Sequence, residues 1–164
     1  MLNLKMGEHL SAVLEQPVCR HVIYISSDAV YDDNAHPVRE TSGCNPNSFH
    51  GLMHLAREQM LTYALEKAKT PFAIARPTLV YGPGDTHNGY GPNRFLRTAS
   101  QQGKIALFGQ GEEKRDHIFV GDVCRLIELC AAHQAVGILN LATGRAHSFM
   151  EVAETVGRVL DKTV

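Results

Sequence analysis

Val22-Ile23-Tyr24-Ile25-Ser26-Ser27-Asp28-Ala29-Val30-Tyr31, followed after a polar connection by His50-Gly51-Leu52-Met53-His54, is the stretch from which the architecture of this chain can be read. Its first four residues are β-branched or aromatic and follow a turn-like break, which predicts a short buried strand over 22–25. The Ser26-Ser27 pair at the strand end has the composition of a turn or a helix cap. Residues 32–48, with Pro37, Gly43 and Pro46, read as a long loop, and loops of that length in compact domains often carry function. Beyond it Leu52, Leu55, Met60, Leu61, Ala64 and Leu65 recur at helical spacing. They predict a helix over 49–67 that Ser48 can cap and Pro71 closes. His50 and His54, four residues apart, then share one face of that helix.

Outward from this stretch, Leu2, Met6, Leu10, Val13 and Leu14 predict a helix over 2–14, closed by Pro17. Downstream, a strand is expected over 72–75, a Gly/Pro-rich segment from Gly82 to Pro92, a helix over 94–102, and a short extended piece over 105–108. Helices are expected over 120–133 and 148–160. Strands alternating with helices imply parallel pairing through right-handed crossovers, hence an α/β layer architecture. About three central parallel strands are expected, built around Val22, Phe72 and Ile138. The strand at 22–25 then presents an unpaired edge, which invites pairing with another chain.

The 164 residues are 44% hydrophobic and 20% charged, enough for the core of one globular domain spanning 1–164. The net charge of -1 is spread over interspersed acids and bases, with no basic footprint for nucleic acid or an anionic membrane. No apolar run reaches bilayer length and the N-terminus has no secretory pattern, so the expected compartment is the cytoplasm. Cys19, Cys44, Cys124 and Cys130 lack CxxC spacing and read as reduced thiols. The histidine pair could share a zinc ion. Gly51, however, stands where a metalloprotease helix carries its glutamate, and spacing offers no third ligand, so no metal site is expected.

The opening stretch, Arg76-Pro77-Thr78-Leu79-Val80-Tyr81-Gly82-Pro83-Gly84, Arg115 to Val123, and Leu139 to Gly144 together resemble the extended short-chain dehydrogenase/reductase family, in its NAD-dependent epimerase/dehydratase type. Asn3 sits about where that family has an asparagine on the helix before the serine strand. The resemblance implies a partial Rossmann-like parallel sheet, the second half of a doubly wound fold, with flanking helices and a small C-terminal substrate-side region. It implies NAD(P)-dependent chemistry on a nucleotide sugar, in which hydride passes to the nicotinamide while a side chain takes a hydroxyl proton. Ser27 falls at the family's substrate-aligning hydroxyl. His50 falls where the family has its catalytic tyrosine, and His54 where it has the lysine that orients the cofactor ribose. Imidazole can still move protons near neutral pH, but His54 is shorter than lysine and often neutral. Ser26, Pro77, Thr78 and Val80 fall on the cofactor side. Asp28, Tyr81 and Arg115 fall on the substrate side, Arg115 toward the diphosphate or, alternatively, in a salt bridge to Asp116 or Asp122. Asp122 reads as the cap of a helix beginning near Val123.

No glycine-rich pyrophosphate turn precedes Val22. The chain is therefore expected to be a fragment, a truncated gene product or one part of an assembly, and to bind NAD or NADP weakly or not at all by itself. A binding or regulatory module without catalysis is the alternative. The resemblance also implies a homodimer through the first two helices, with Leu2, Met6 and Leu10 on one and Leu52, Met60 and Leu61 on the other.

Overall fold

The computed structural model describes residues 2–34, 36–86 and 89–161. In chain order its elements are α1 (Leu2–Leu14), β1 (Val22–Ile25), a 3-10 turn (Asp28–Val30), α2 (Phe49–Ala68), β2 (Phe72–Pro77), β3 (Leu79–Tyr81), α3 (Pro92–Gln102), β4 (Lys114–Phe119), α4 (Val120–Ala132), β5 (Gly137–Leu141), β6 (Ala146–Ser148) and α5 (Phe149–Leu160). They form two compact units, Met1–Thr78 with Cys124–Leu141, and Leu79–Val123 with Ala142–Val164.

The first unit holds the expected three-stranded parallel sheet, in the order β1-β2-β5. Val22 pairs with Phe72 and Ile25 with Ala75; Ala73 pairs with Gly137 and Pro77 with Leu141. With β1 at the end of this order, its outer edge is unpaired among the described residues. Leu14, Leu61, Ala64 and Leu65 make the core beneath the sheet, with Val22, Tyr24 and Phe72 packed against them. Gly7 lets α1 lie close on α2, because a Cβ there would come 3.0 Å from Cγ of Arg57. Leu61 is correspondingly 1% exposed, which removes it from the expected dimer surface and places it in the core. Leu2, Met6, Leu10 and Val13 face outward on α1. The end of α2 is set by Lys69 in the left-handed conformation, whose N–H returns to Leu65 and Glu66.

The second unit pairs β3 with β4 in parallel and β4 with β6 in antiparallel fashion. Phe95, Ala99, Ile105, Phe149, Ala153 and Val156 form its core between α3 and α5. The extended piece expected over 105–108 is not a strand: residues 105–107 are irregular, 108 is a bend, and Ile105 fills the core. The ladder instead runs through Lys114–Phe119, whose mostly charged and polar sequence gives no alternating apolar signal. α3 begins at Pro92, two residues before the expected start, with proline in the first turn where its missing N–H costs no hydrogen bond. α4 begins at Val120, so Asp122 lies inside the first turn and does not cap it. Ser148 and Glu151 form a reciprocal capping box at the start of α5.

Candidate functional site

The end of β1 is tied down from below. Ser26, 4% exposed, donates its hydroxyl hydrogen to Oε1 of Glu58 at 2.5 Å, and its N–H reaches the Ala75 carbonyl at 2.7 Å. Arg76 donates to the same carboxylate through Nε at 3.0 Å and Nη2 at 2.6 Å. Both charged side chains are buried, at 1% and 3% exposure. Burial opposes the Arg76 charge, but the Glu58 hydrogen bonds outweigh it and hold the guanidinium above its ordinary pKa. Arg76 also lies over the Tyr31 ring at 4.8 Å, and Tyr31 donates its hydroxyl to Oδ1 of Asn140 at 2.7 Å. One buried network thus joins β1, α2, β2 and β5.

Above that network the chain turns. Ser27 is extended, with φ -154° and ψ 152°, and its Oγ accepts the Ala29 N–H at 3.2 Å, capping the 3-10 turn. The same oxygen donates to Oδ1 of Asp28 at 3.3 Å. α2 starts directly against this turn: a Cβ at Gly51 would stand 2.0 Å from the Ala29 carbonyl oxygen. Only glycine permits that approach. Ser48 caps α2 as expected, accepting the Gly51 N–H at 3.1 Å. The exposed His50 is therefore carried on the helical turn that abuts the Ser27-Asp28 segment.

The next turn of α2 carries His54, whose ring meets that of His50 edge-on with centroids 4.7 Å apart. Its Nδ1 lies 3.0 Å from the Tyr24 hydroxyl. Burial, then the charges of Arg57 and His50, pull the His54 pKa from 6.5 down to about 4. Burial likewise raises the Tyr24 phenol above its ordinary value. His54 is thus neutral at physiological pH, unlike a lysine. Between pH 6.5 and about 4 the unfolded chain takes up a proton that folded His54 resists, so this group's contribution to stability is full above pH 6.5 and is lost as the pH falls through that window. After allowance for solvent screening the loss is about 1–3 kcal/mol. Urea titrations of wild type and His54→Gln at pH 7 and pH 4 should show a smaller loss in the variant; equal losses would contradict the assignment. His117, lowered by burial in the second unit, is common to both proteins and cancels in the comparison.

Of the remaining sequence-derived candidates, Pro77 and Thr78 lie at the end of β2, and the Thr78 N–H is held by the Leu141 carbonyl at 3.1 Å. In the second unit Val80 and Tyr81 line a cleft of about 340 Å³ with Tyr90 and Asn93. Arg115 pairs with Glu113 at 2.5 Å, both side chains at least half exposed, and not with Asp116 or Asp122. Asp116 accepts from the backbone N–H groups of Thr143, Gly144 and Arg145. Sequence reasoning passed over Tyr24 and Glu58. The signal for Glu58 was its place on the His50, His54, Leu61, Leu65 face of α2, where a carboxylate needs a buried partner. Tyr24 shares the α2-facing side of β1 with Ser26, two residues on.

The description of the NAD dependent epimerase/dehydratase family matches residues 1–142. The chain belongs to that family. Solved structures similar to this epimerase/dehydratase-family chain include the UDP-N-acetylglucosamine 4-epimerase from Methanobrevibacter ruminantium M1 in complex with UDP-N-acetylmuramic acid, with TM-score 0.91, 22% identity, and coverage of 99% of this chain and 54% of that one. The UDP-glucuronic acid 4-epimerase from Bacillus cereus, bound to UDP-glucuronic acid and NAD, gives TM-score 0.87 and 20% identity over 99% of this chain and 52% of that one. MoeE5 in complex with UDP-glucose and NAD gives TM-score 0.86 and 28% identity over 98% and 55%. The chain spans about half the length of these proteins, and the likeness extends through both compact units of this family member.

Proposed function

We propose that this chain carries the nicotinamide-facing and sugar-facing part of an NAD(P)-dependent nucleotide-sugar epimerase or dehydratase site. The observation that carries the reading is the close seat of α2 on the Ser27-Asp28 turn through Gly51, which sets a hydroxyl and an exposed imidazole on adjoining turns. In this reading Ser27 aligns a sugar hydroxyl and the His50 imidazole accepts its proton. Within the first unit Asp28 is the further candidate for a sugar contact; within the second, Tyr81 offers a ring to a sugar and Arg115 can exchange Glu113 for a substrate diphosphate, which its planar fork can grip bidentately. In the first unit Pro77 supplies apolar surface fit for a nicotinamide ring, with Ser26 and Thr78 holding the backbone beside it; in the second, Val80 is the cofactor-side candidate. A bound nicotinamide supplies the hydride acceptor. Calorimetric titration with UDP-glucose and UDP-glucuronic acid, with and without NAD, tests the reading. Binding is expected for wild type and should weaken about 10-fold to 100-fold in Arg115→Ala. No binding of either nucleotide sugar under both conditions would refute it.

We also propose a twofold homodimer through the outer face of α1, where Leu2, Met6, Leu10 and Val13 leave 47–74% of their surface exposed. Sedimentation should report a dimer at micromolar concentration and a monomer for Met6→Glu. A dimer unmoved by Met6→Glu would point to the free edge of β1 instead.

A further inference from the structure

Tyr24 and His54 both lie in segments that carry the family resemblance, but that resemblance assigns Tyr24 no role and no contact with position 54. We propose that Tyr24 is a positioning residue whose phenol donates to Nδ1 of His54 and fixes that imidazole as the Nε2–H tautomer, so that position 54 presents one directed N–H donor where a cation is expected. The 3.0 Å contact allows two directions, phenol to imidazole or imidazole to phenol. The second requires another acceptor for the phenol hydrogen, and no described residue supplies one for the half-buried Tyr24 hydroxyl. The first leaves every polar hydrogen at the contact used, and the tautomer of a neutral imidazole is set by the bond its other nitrogen makes.

The surroundings keep the ring neutral. His50 and Arg57 from α2 disfavour a second proton, and Glu58, the neighbouring carboxylate, is already engaged by Ser26 and Arg76. Arg57 itself is held beside the pair, with its guanidinium carbon 5.7 Å from the Tyr24 ring centroid and its Nε donating to the Met53 carbonyl. A neutral Nε2–H suits a hydroxyl oxygen, such as one of a ribose or hexose diol, and gives no charge compensation to a phosphate. That use toward a ligand rests on the function proposed above; the tautomer rests on the contact alone.

Long-range proton–nitrogen correlation spectra of the whole chain, labelled with ring-¹⁵N histidine and recorded at pH 7.5, test the proposal directly. Wild type should show His54 with an unprotonated Nδ1 and a protonated Nε2 in a single tautomer. Tyr24→Phe, which keeps the ring but removes the donor, should give a mixture of tautomers. A protonated Nδ1 in wild type overturns the proposal whether or not the variant folds, and so does an unchanged single tautomer in a folded Tyr24→Phe. For the role toward a ligand, Tyr24→Phe should weaken UDP-sugar binding about 3-fold to 10-fold, and an unchanged affinity overturns that role. If wild type bound no nucleotide sugar at all, the functional reading would fail while the nitrogen spectrum still decided the tautomer.

Discussion

Glu58→Ala is expected to cost about 3–5 kcal/mol of folding stability, the largest loss from any single truncation in the first unit. The carboxylate accepts three hydrogen bonds, from Ser26 and twice from Arg76, in a position only 1% exposed. Its removal leaves a guanidinium buried at 3% exposure without its ion-pair partner, and a serine hydroxyl without its acceptor. Nη1 of Arg76 already lacks a hydrogen-bond partner, so the truncation adds further unsatisfied donors on the same guanidinium. The double change Glu58→Leu with Arg76→Met should recover most of the loss, because a buried pair replaced as a unit by apolar groups is often nearly neutral. Urea unfolding of the single and double variants checks both statements. Equal stability of Glu58→Ala and wild type would mean that water reaches the pair in solution.

Gly51→Ala is expected to cost about 3 kcal/mol, the upper end of ordinary overpacking. The new methyl would stand 2.0 Å from the Ala29 carbonyl oxygen and 2.8 Å from Cβ of Pro46, and backbone cannot swing aside as the end of a side chain can. The first turn of α2 must retreat from the 3-10 turn, taking His50 with it. The Val30 and Tyr31 amides, which close that turn on Ser27 and Asp28, should exchange faster with solvent. Gly43→Ala is the control, since its Cβ would meet nothing within 4 Å and should leave stability within about 0.5 kcal/mol. Should Gly51→Ala match that control, the close seat of α2 would not be present in solution.

The first unit was largely legible in the sequence because its signals are of the kind that periodicity reports. Val22–Ile25 and Phe72–Pro77 are short apolar strands, α2 buries an apolar face at helical spacing, and α1 carries apolar residues at that spacing although most of them face outward. Ser48 as a cap and Ser27 at the strand end could be read from local chemistry. The second unit was harder. Lys114–Phe119 pairs on both sides, yet only Ile118 is deeply buried, so its burial leaves little trace in hydropathy. The arrangement around His54 was hidden for another reason. Residue 24, the 54/58 pair on α2 and residue 76 are far apart in sequence, and only the register of β1 on β2 beneath α2 brings them together. Family resemblance marked position 54 as a missing cation; it gave no hint that a tyrosine from the strand would meet the imidazole. Arg115 shows the opposite failure, since nearby Asp116 was the obvious partner but is occupied by the 143–145 turn.

The three-strand order β1-β2-β5 draws its last member from residues 137–141, after the chain has already built most of the second unit. The two units are therefore interleaved along the polypeptide, and neither can be excised as one continuous piece. A polypeptide cut short at Thr78 would keep β1 and β2 but forfeit the neighbour whose ladder runs from Ala73–Gly137 to Pro77–Leu141. Conversely, a single protease nick between Gly82 and Thr86 would sever the peptide without dismantling the sheet, because β2 and β5 would lie on different fragments and still be hydrogen-bonded to each other. For anyone dissecting this chain, fragment complementation is the natural experiment and simple truncation is a misleading one.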